Sequence, residues 1–199
     1  MNDLTALVGS RICHDLISPL GAIGNGVELL LMAPGAAGAE VALISESVTS
    51  ARARICFFRI AFGAAQDGQR IGRAEVRAVL DDMTRGGRLS IDWQGAGDAA
   101  RADVKLVFLL LQCLETAMPY GGRVTVAQSG DAWALAAQAV RTRIDPALWA
   151  RLAERNAGAD LQPSQVQFAL AAAELAARNL ALDLTLEEER LALHFRPAG

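Results

Sequence analysis

Apolar positions in the first third of the chain recur every three or four residues. Leu4, Val8, Ile12, Leu16, Leu20, Ile23, Val27 and Leu30 form one stripe of an α-helix about eight turns long. Pro34-Gly35 ends the pattern, and Gly38 follows. A second periodic run extends from about Ala39 to Ala65, its stripe marked by Val41, Ile44, Val48, Ala51, Ile55, Phe58 and Phe62. A short connector between two long helices makes them antiparallel neighbours. Two helices cannot cover both apolar faces by themselves. A second copy of the hairpin is therefore expected to complete a four-helix bundle in a homodimer.

The pattern changes at the polar, glycine-bearing stretch Gln66-Asp67-Gly68-Gln69, which suits a linker. It divides the chain into residues 1–67, the helical hairpin, and residues 68–199. Beyond it the periodicity alternates between 3.6 and 2. Ala74–Thr84 is helical, and Arg88–Gln94 alternates as a strand through Leu89, Ile91 and Trp93. Ala102–Ala117 is a strongly apolar helix ended by Pro119-Tyr120-Gly121-Gly122. Arg123–Gln128 and Asp131–Val140 form a hairpin about Ser129-Gly130. Pro146–Glu154 and Ser164–Leu180 are helical, with Asp145 and Pro163-Ser164 as start signals. Leu182–Leu186 and Arg190–Phe195 close the chain as a second strand pair. The expected fold class is α+β: a helical hairpin followed by an α/β sandwich, a small sheet under a layer of helices.

Composition narrows the function. The chain has 199 residues, 52% hydrophobic and 21% charged, too apolar for a disordered protein. A net charge of −3 argues against a general nucleic-acid binder, which needs a basic face to displace counterions. Two histidines and three scattered cysteines leave little material for a metal site. Cys13, Cys56 and Cys113 lack C-x-x-C spacing and read as reduced, small buried hydrophobes. The N-terminus shows no basic segment followed by an apolar one. The stretch from Ile12 to Met32 carries His14, Asp15, Asn25 and Glu28, too polar for a membrane span. A cytoplasmic protein with no membrane attachment is expected.

The chemistry gathers in Ser10-Arg11-Ile12-Cys13-His14-Asp15-Leu16-Ile17-Ser18-Pro19-Leu20. His14 lies two positions from both Ile12 and Leu16, about 200° from the apolar stripe, and so points outward. Ser10, Arg11, Ser18, Gly21 and Asn25 share that outward face and are small or polar, which suits close approach by another protein. Pro19 cannot donate to the carbonyl of Asp15, so a kink is expected one turn past the histidine. A neutral imidazole offers an in-line lone pair at Nε2, and Asp15 is placed to orient the ring or stabilise its cation. The second histidine, His194, alternates with Leu193 and Phe195 and reads as a solvent-facing strand residue.

The heptapeptide His14-Asp15-Leu16-Ile17-Ser18-Pro19-Leu20 resembles the H-box of the dimerisation and phosphotransfer domain of two-component histidine kinases. Residues Ser10 to Leu30, with Arg52 and Phe57-Phe58-Arg59-Ile60-Ala61-Phe62-Gly63, are similar to the ChpT-type histidine phosphotransferases of Alphaproteobacteria. The resemblance extends to the C-terminal half, which looks like a kinase ATP-binding domain that has lost its nucleotide. Leu111-Gln112-Cys113-Leu114-Glu115-Thr116-Ala117 stands where the kinase has its asparagine-rich, Mg²⁺-holding helix, with Gln112 and Thr116 at the asparagine positions. No Asp-x-Gly-x-Gly loop occurs. Asn156-Ala157-Gly158-Ala159-Asp160 is the nearest remnant, and no glycine-rich lid precedes the helix at 164–180.

The resemblance implies a His–Asp phosphorelay. His14 would take a phosphoryl group from the receiver domain of a hybrid histidine kinase and pass it to receivers of response regulators in cell-cycle-type signalling. No cofactor is expected on this chain. Mg²⁺ would come with the partner receiver. Antiparallel geometry matches the level of His14 to about Phe57–Phe62, so Arg59 is a candidate for bridging an acidic group or the phosphate. Arg11, Ser18, Leu20, Gly21 and Gly24 are candidate receiver contacts. Two other readings stay open: an ATP-dependent histidine kinase, and a non-catalytic dimeric scaffold for receivers.

Overall fold

The computed structural model describes residues 3–32, 37–154 and 161–198. The expected turn at Pro34-Gly35 and the remnant at 156–160 lie outside the described residues. Two helices open the chain, α1 (Leu4–Met32) and α2 (Ala37–Ala61). They pack antiparallel, and their register is set where Gly26 meets Ile44: a Cβ at Gly26 would stand 2.6 Å from Ile44 Cγ1. That close approach is why a glycine sits in mid-helix despite its low helix propensity. α1 runs through Pro19, which is buried.

The C-terminal half contains β1 (Arg70–Ile71), α3 (Arg73–Thr84), β2 (Leu89–Trp93), β3 (Ala99–Ala100) and α4 (Arg101–Ala117). There follow β4 (Gly122–Ser129), β5 (Ala132–Gln138), α5 (Pro146–Ala153), a 3-10 turn at Pro163–Gln165, α6 (Val166–Ala177), β6 (Leu180–Leu186) and β7 (Arg190–Pro197). Every element expected from periodicity is present within a few residues of its expected bounds. Asp145 caps α5 by accepting from the amides of Ala147 and Leu148. The β1–β3 pair was not expected, since two residues are too few to show alternation.

The main sheet has the order β2-β4-β5-β7-β6, with β2 parallel to β4 and all other neighbours antiparallel. Its inner face is the period-2 set Val124, Val126, Trp133, Leu135, Ala137, Leu191, Leu193 and Phe195, all buried. The helices supply the other half of the core. α4 is buried on nearly all sides, with Leu106, Val107, Phe108, Leu109 and Leu110 at 0% exposure. The core does not stop at the 66–69 connector. Phe57, Phe58, Ile60 and Ala61 of α2 belong to it, and Phe57 stacks on Phe108 at 4.7 Å. The last turns of α2 therefore fix the hairpin onto the sandwich.

The rest of the hairpin is differently covered. Ile17, Leu20, Val27 and Leu31 of α1 and Val41, Val48 and Ile55 of α2 are exposed, Leu31 at 77%. Contrary to the sequence expectation that Ile12–Met32 is too polar for a span, α1 is apolar enough by length and composition alone to cross a membrane, and 11% of its most apolar stretch is buried. The stripe read from sequence thus splits in two. Ile12, Leu16, Pro19, Ile23 and Gly26 face α2 or the sandwich, while Leu20 and Val27 turn away. Cys13, expected to be a buried hydrophobe, is exposed because it lies on that uncovered side; Cys56 is half-buried and Cys113 buried.

Candidate functional site

His14 projects from the middle of α1 with its side chain 82% exposed. Its Nδ1 lies 3.0 Å from Asp15 Oδ1. A carboxylate oxygen only accepts, so the neutral ring puts its proton on Nδ1 and leaves Nε2 as a bare lone pair toward solvent. The Asp15 side chain is only 10% exposed. Its other oxygen accepts from Arg11 Nε at 2.9 Å, and Arg54 Nη1 stands 3.9 Å away. The carboxylate is thus held from three sides, and the imidazole it carries stays accessible.

Arg11 was expected among the outward, partner-facing residues. Instead its side chain is largely covered, with Nη1 donating to the Ser164 carbonyl at 3.1 Å. The 3-10 turn before α6 packs against this part of α1 and covers most of the Arg11 side chain, which is left 17% exposed. Ser18, Leu20, Gly21 and Gly24 are exposed, and a Cβ at either glycine would meet nothing within 4 Å. Leu20 and Gly24 line the uncovered apolar seam with Ile17, Val27 and Leu31. Ser18, Gly21 and Asn25 lie beside His14.

Arg59 is not beside His14. Its guanidinium reaches Glu75 of α3 at 3.1 Å, and its backbone carbonyl accepts from Arg101. The Gly26–Ile44 contact sets the helices about one turn away from the expected register, which brings Arg54 to Asp15 in its place. Sequence reasoning passed over Arg54. Its spacing of five residues from Arg59 was visible, but the register that selects between them is a tertiary quantity.

Arg54 also lines an open cavity of about 460 Å³ with Phe57, Met83, Arg88, Leu111, Glu115 and Met118. Glu115 of α4 keeps an exposed edge at this cavity. Desolvation by the cavity walls raises its carboxyl above the ordinary range, Arg11 and Arg54 oppose the rise, and Asp15 adds to it. The field of the Arg11–Asp15–Arg54 cluster therefore reaches the C-terminal half.

The two positions matched by resemblance to kinase asparagines differ in burial: Gln112 is buried, and Thr116 is exposed with its hydroxyl hydrogen-bonded within the protein. Gln112 is 3% exposed, and its side-chain amide has no hydrogen-bond partner among the described residues. Thr116 donates its hydroxyl to the Gln112 carbonyl at 2.9 Å. Among the described residues no three His, Cys, Asp or Glu side chains gather as a metal site. His194 lies on β7 with Nδ1 3.7 Å from Asp183 Oδ2, an exposed carboxylate also paired with Arg196, whereas the Asp15 carboxylate beside His14 is 10% exposed.

Residues 73–190 match the family described as histidine phosphotransferase C-terminal domain. The protein phosphotransferase ChpT of Brucella abortus (strain 2308) is 42% identical over 130 residues, 64% of this chain and 62% of that relative. The match thus spans about three fifths of the curated relative's length. The 1.7 Å structure of a bacterial phosphotransferase superposes with a TM-score of 0.80 and 30% identity, covering 98% of this chain and 96% of the other. The histidine kinase AdeS of Acinetobacter baumannii is far more distant, with a TM-score of 0.44 and 9% identity.

Proposed function

Because this chain belongs to the histidine phosphotransferase family, we propose that it carries a phosphoryl group on His14 between receiver-domain aspartates. The observation that carries this reading is the exposed imidazole with Nδ1 on Asp15 Oδ1 and Nε2 free. The Nε2 lone pair attacks phosphorus in line, and the N–P bond forms as the P–O bond to the donor aspartate breaks. The donor carboxylate leaves with the electron pair, and the Nδ1 proton stays on the hydrogen bond to Asp15. The positive charge that develops on the phosphorylated ring is countered by that carboxylate. The reverse step delivers the group to a second receiver. Such transfers depend on positioning and charge stabilisation more than on covalent participation by other groups. Mg²⁺ belongs to the receiver's side of the reaction, and this chain contributes the nucleophile and the docking face.

The partners are receiver domains of a hybrid kinase and of response regulators. Ser18, Gly21 and Asn25 flank His14 with small or polar side chains and leave room for a receiver helix. The seam of Ile17, Leu20, Gly24, Val27 and Leu31 has the 3-4-3-4 spacing of helices that pair along an a/d stripe, and Val41, Val48 and Ile55 repeat every seven residues on α2. We infer that a second copy of the hairpin covers this seam and completes a four-helix bundle, with His14 at its rim. Ile17→Glu should then give a monomer at micromolar concentration by light scattering. A wild-type chain that is already monomeric there rules the bundle out.

The transfer test mixes the purified chain with a labelled phospho-receiver. Label is expected on the wild type and absent from His14→Ala. Label taken from ATP and Mg²⁺ alone would mark a kinase instead. Receiver binding that survives His14→Ala without any transfer by the wild type would mark a scaffold.

A further inference from the structure

Resting on that reading of His14, the geometry points to a function for the C-terminal half: we propose that Gln167 and Thr116 are positioning residues for the phosphotransfer histidine. They act through an unbroken chain of hydrogen bonds across the two halves of the molecule. His14 Nδ1 pairs with Asp15 Oδ1 at 3.0 Å, and Arg11 Nε donates to Asp15 Oδ2 at 2.9 Å. Arg11 Nη1 donates to the Ser164 carbonyl at 3.1 Å. The same carbonyl accepts from Gln167 Nε2 at 3.0 Å, and Gln167 Nε2 also donates to Thr116 Oγ1 at 2.9 Å. Thr116 in turn donates to the Gln112 carbonyl on α4.

The donor and acceptor inventory leaves this chain a single polarity. The Ser164 carbonyl has two lone pairs and both are used. The Gln167 amide has two N–H groups and both are used. Turning that amide over would set its oxygen against the Ser164 carbonyl, two acceptors with no proton between them, so its orientation is fixed. Gln167 is fully buried and its own carbonyl oxygen has no partner among the described residues. A buried polar group half satisfied in this way costs stability, which argues that its N–H groups are retained for what they hold.

What they hold is the direction of the Arg11 fork. Arginine loses much rotamer freedom when fixed at both ends. Anchored at Ser164, its Nε is kept on Asp15, and Asp15 then keeps the ring proton on Nδ1. Thr116 and Gln112 occupy positions that in the resembling kinase helix would face Mg²⁺ and nucleotide. Here the Thr116 hydroxyl and the Gln112 backbone carbonyl close the α4 end of the strut.

The test reads the tautomer of His14 directly. The full chain is labelled with nitrogen-15 histidine and its ring nitrogens are observed near pH 8, where about nine tenths or more of an ordinary imidazole is neutral. Wild-type His14 is expected in the Nδ1–H form, with His194 as the internal control. Thr116→Val, which keeps the shape and removes the hydroxyl, and Gln167→Leu should both move His14 toward the Nε2–H form that free imidazole prefers. Both should slow transfer from a phospho-receiver by about tenfold, and Thr116→Ser should restore tautomer and rate. A wild-type ring in the Nε2–H form overturns the proposal, as does an unchanged tautomer in folded Thr116→Val. Should Gln167→Leu not fold, the Thr116 pair decides alone. If no label ever reaches the wild type, the relay reading fails while the tautomer result stands by itself.

Discussion

The sandwich and the hairpin solve the same problem with opposite results. Both are built from amphipathic elements with a surplus of apolar side chains. In the sandwich, α4 is inserted between sheet and helices, and five consecutive residues from Leu106 to Leu110 lose all contact with solvent. In the hairpin, α1 and α2 have only each other over most of their length, and Ile17 and Leu31 remain 67% and 77% exposed. A helix pair buries one stripe per helix, whereas a five-stranded sheet offers a whole face. The half that satisfies itself can serve as a rigid support. The half that does not is left with surfaces for partners, and it is the half that carries His14.

The sharpest way to test the contrast is to cut the core where it is densest. Phe108→Ala should cost about 3–5 kcal/mol in urea unfolding, independent of protein concentration, because a fully buried ring leaves a cavity its neighbours cannot close. A cost that varies with concentration would show that the sandwich, too, depends on assembly.

Within the hairpin, the glycines separate covered from uncovered surface. Gly26→Val should destabilise by about 1–3 kcal/mol, since its Cβ collides with Ile44 and forces the helices apart. Gly21→Ala meets open space and should stabilise by up to about 1 kcal/mol through helix propensity alone. If the two substitutions have equal effects on the melting temperature, the register described for α1 and α2 is wrong.

The smallest expected effect lies at the junction. The carboxyl of Glu115 is raised by desolvation, so between its unfolded and folded pKa values the native state holds the extra proton and stability falls as pH rises. At neutral pH the folded protein still bears that penalty. Glu115→Gln should therefore raise the melting temperature at pH 7, and the gain should fade below about pH 4.3, where the carboxyl is protonated in both states. A gain that is the same at both pH values would trace to packing and not to charge.

Much of this was legible along the chain. Long stripes at 3.6-residue spacing disclosed α1, α2 and α4, and strict alternation disclosed β4, β5 and β7, because burial of one face leaves a periodic trace. The segment around His14 stood out for a related reason. Polar groups placed opposite an apolar stripe are not needed to bury it, so they are visible as a separate pattern. The two-residue strands β1 and β3 left no such trace. Nor did Arg54, an ordinary helix arginine until Asp15 stands opposite it.

What the sequence by itself determined is the local order: which segments are helices and strands, which residue is the nucleophile candidate, and that the hairpin carries more apolar surface than two helices can bury. Those follow from spacing within one element. Which arginine meets Asp15, that Leu20 turns away from α2, and that the Ser164 carbonyl ends up holding Arg11 were decided only by the tertiary structure. Each depends on the register between elements far apart in the chain, and a backbone carbonyl is the same group at every residue. Only the packing of α6 against α1 and α4 makes this one a partner for the site.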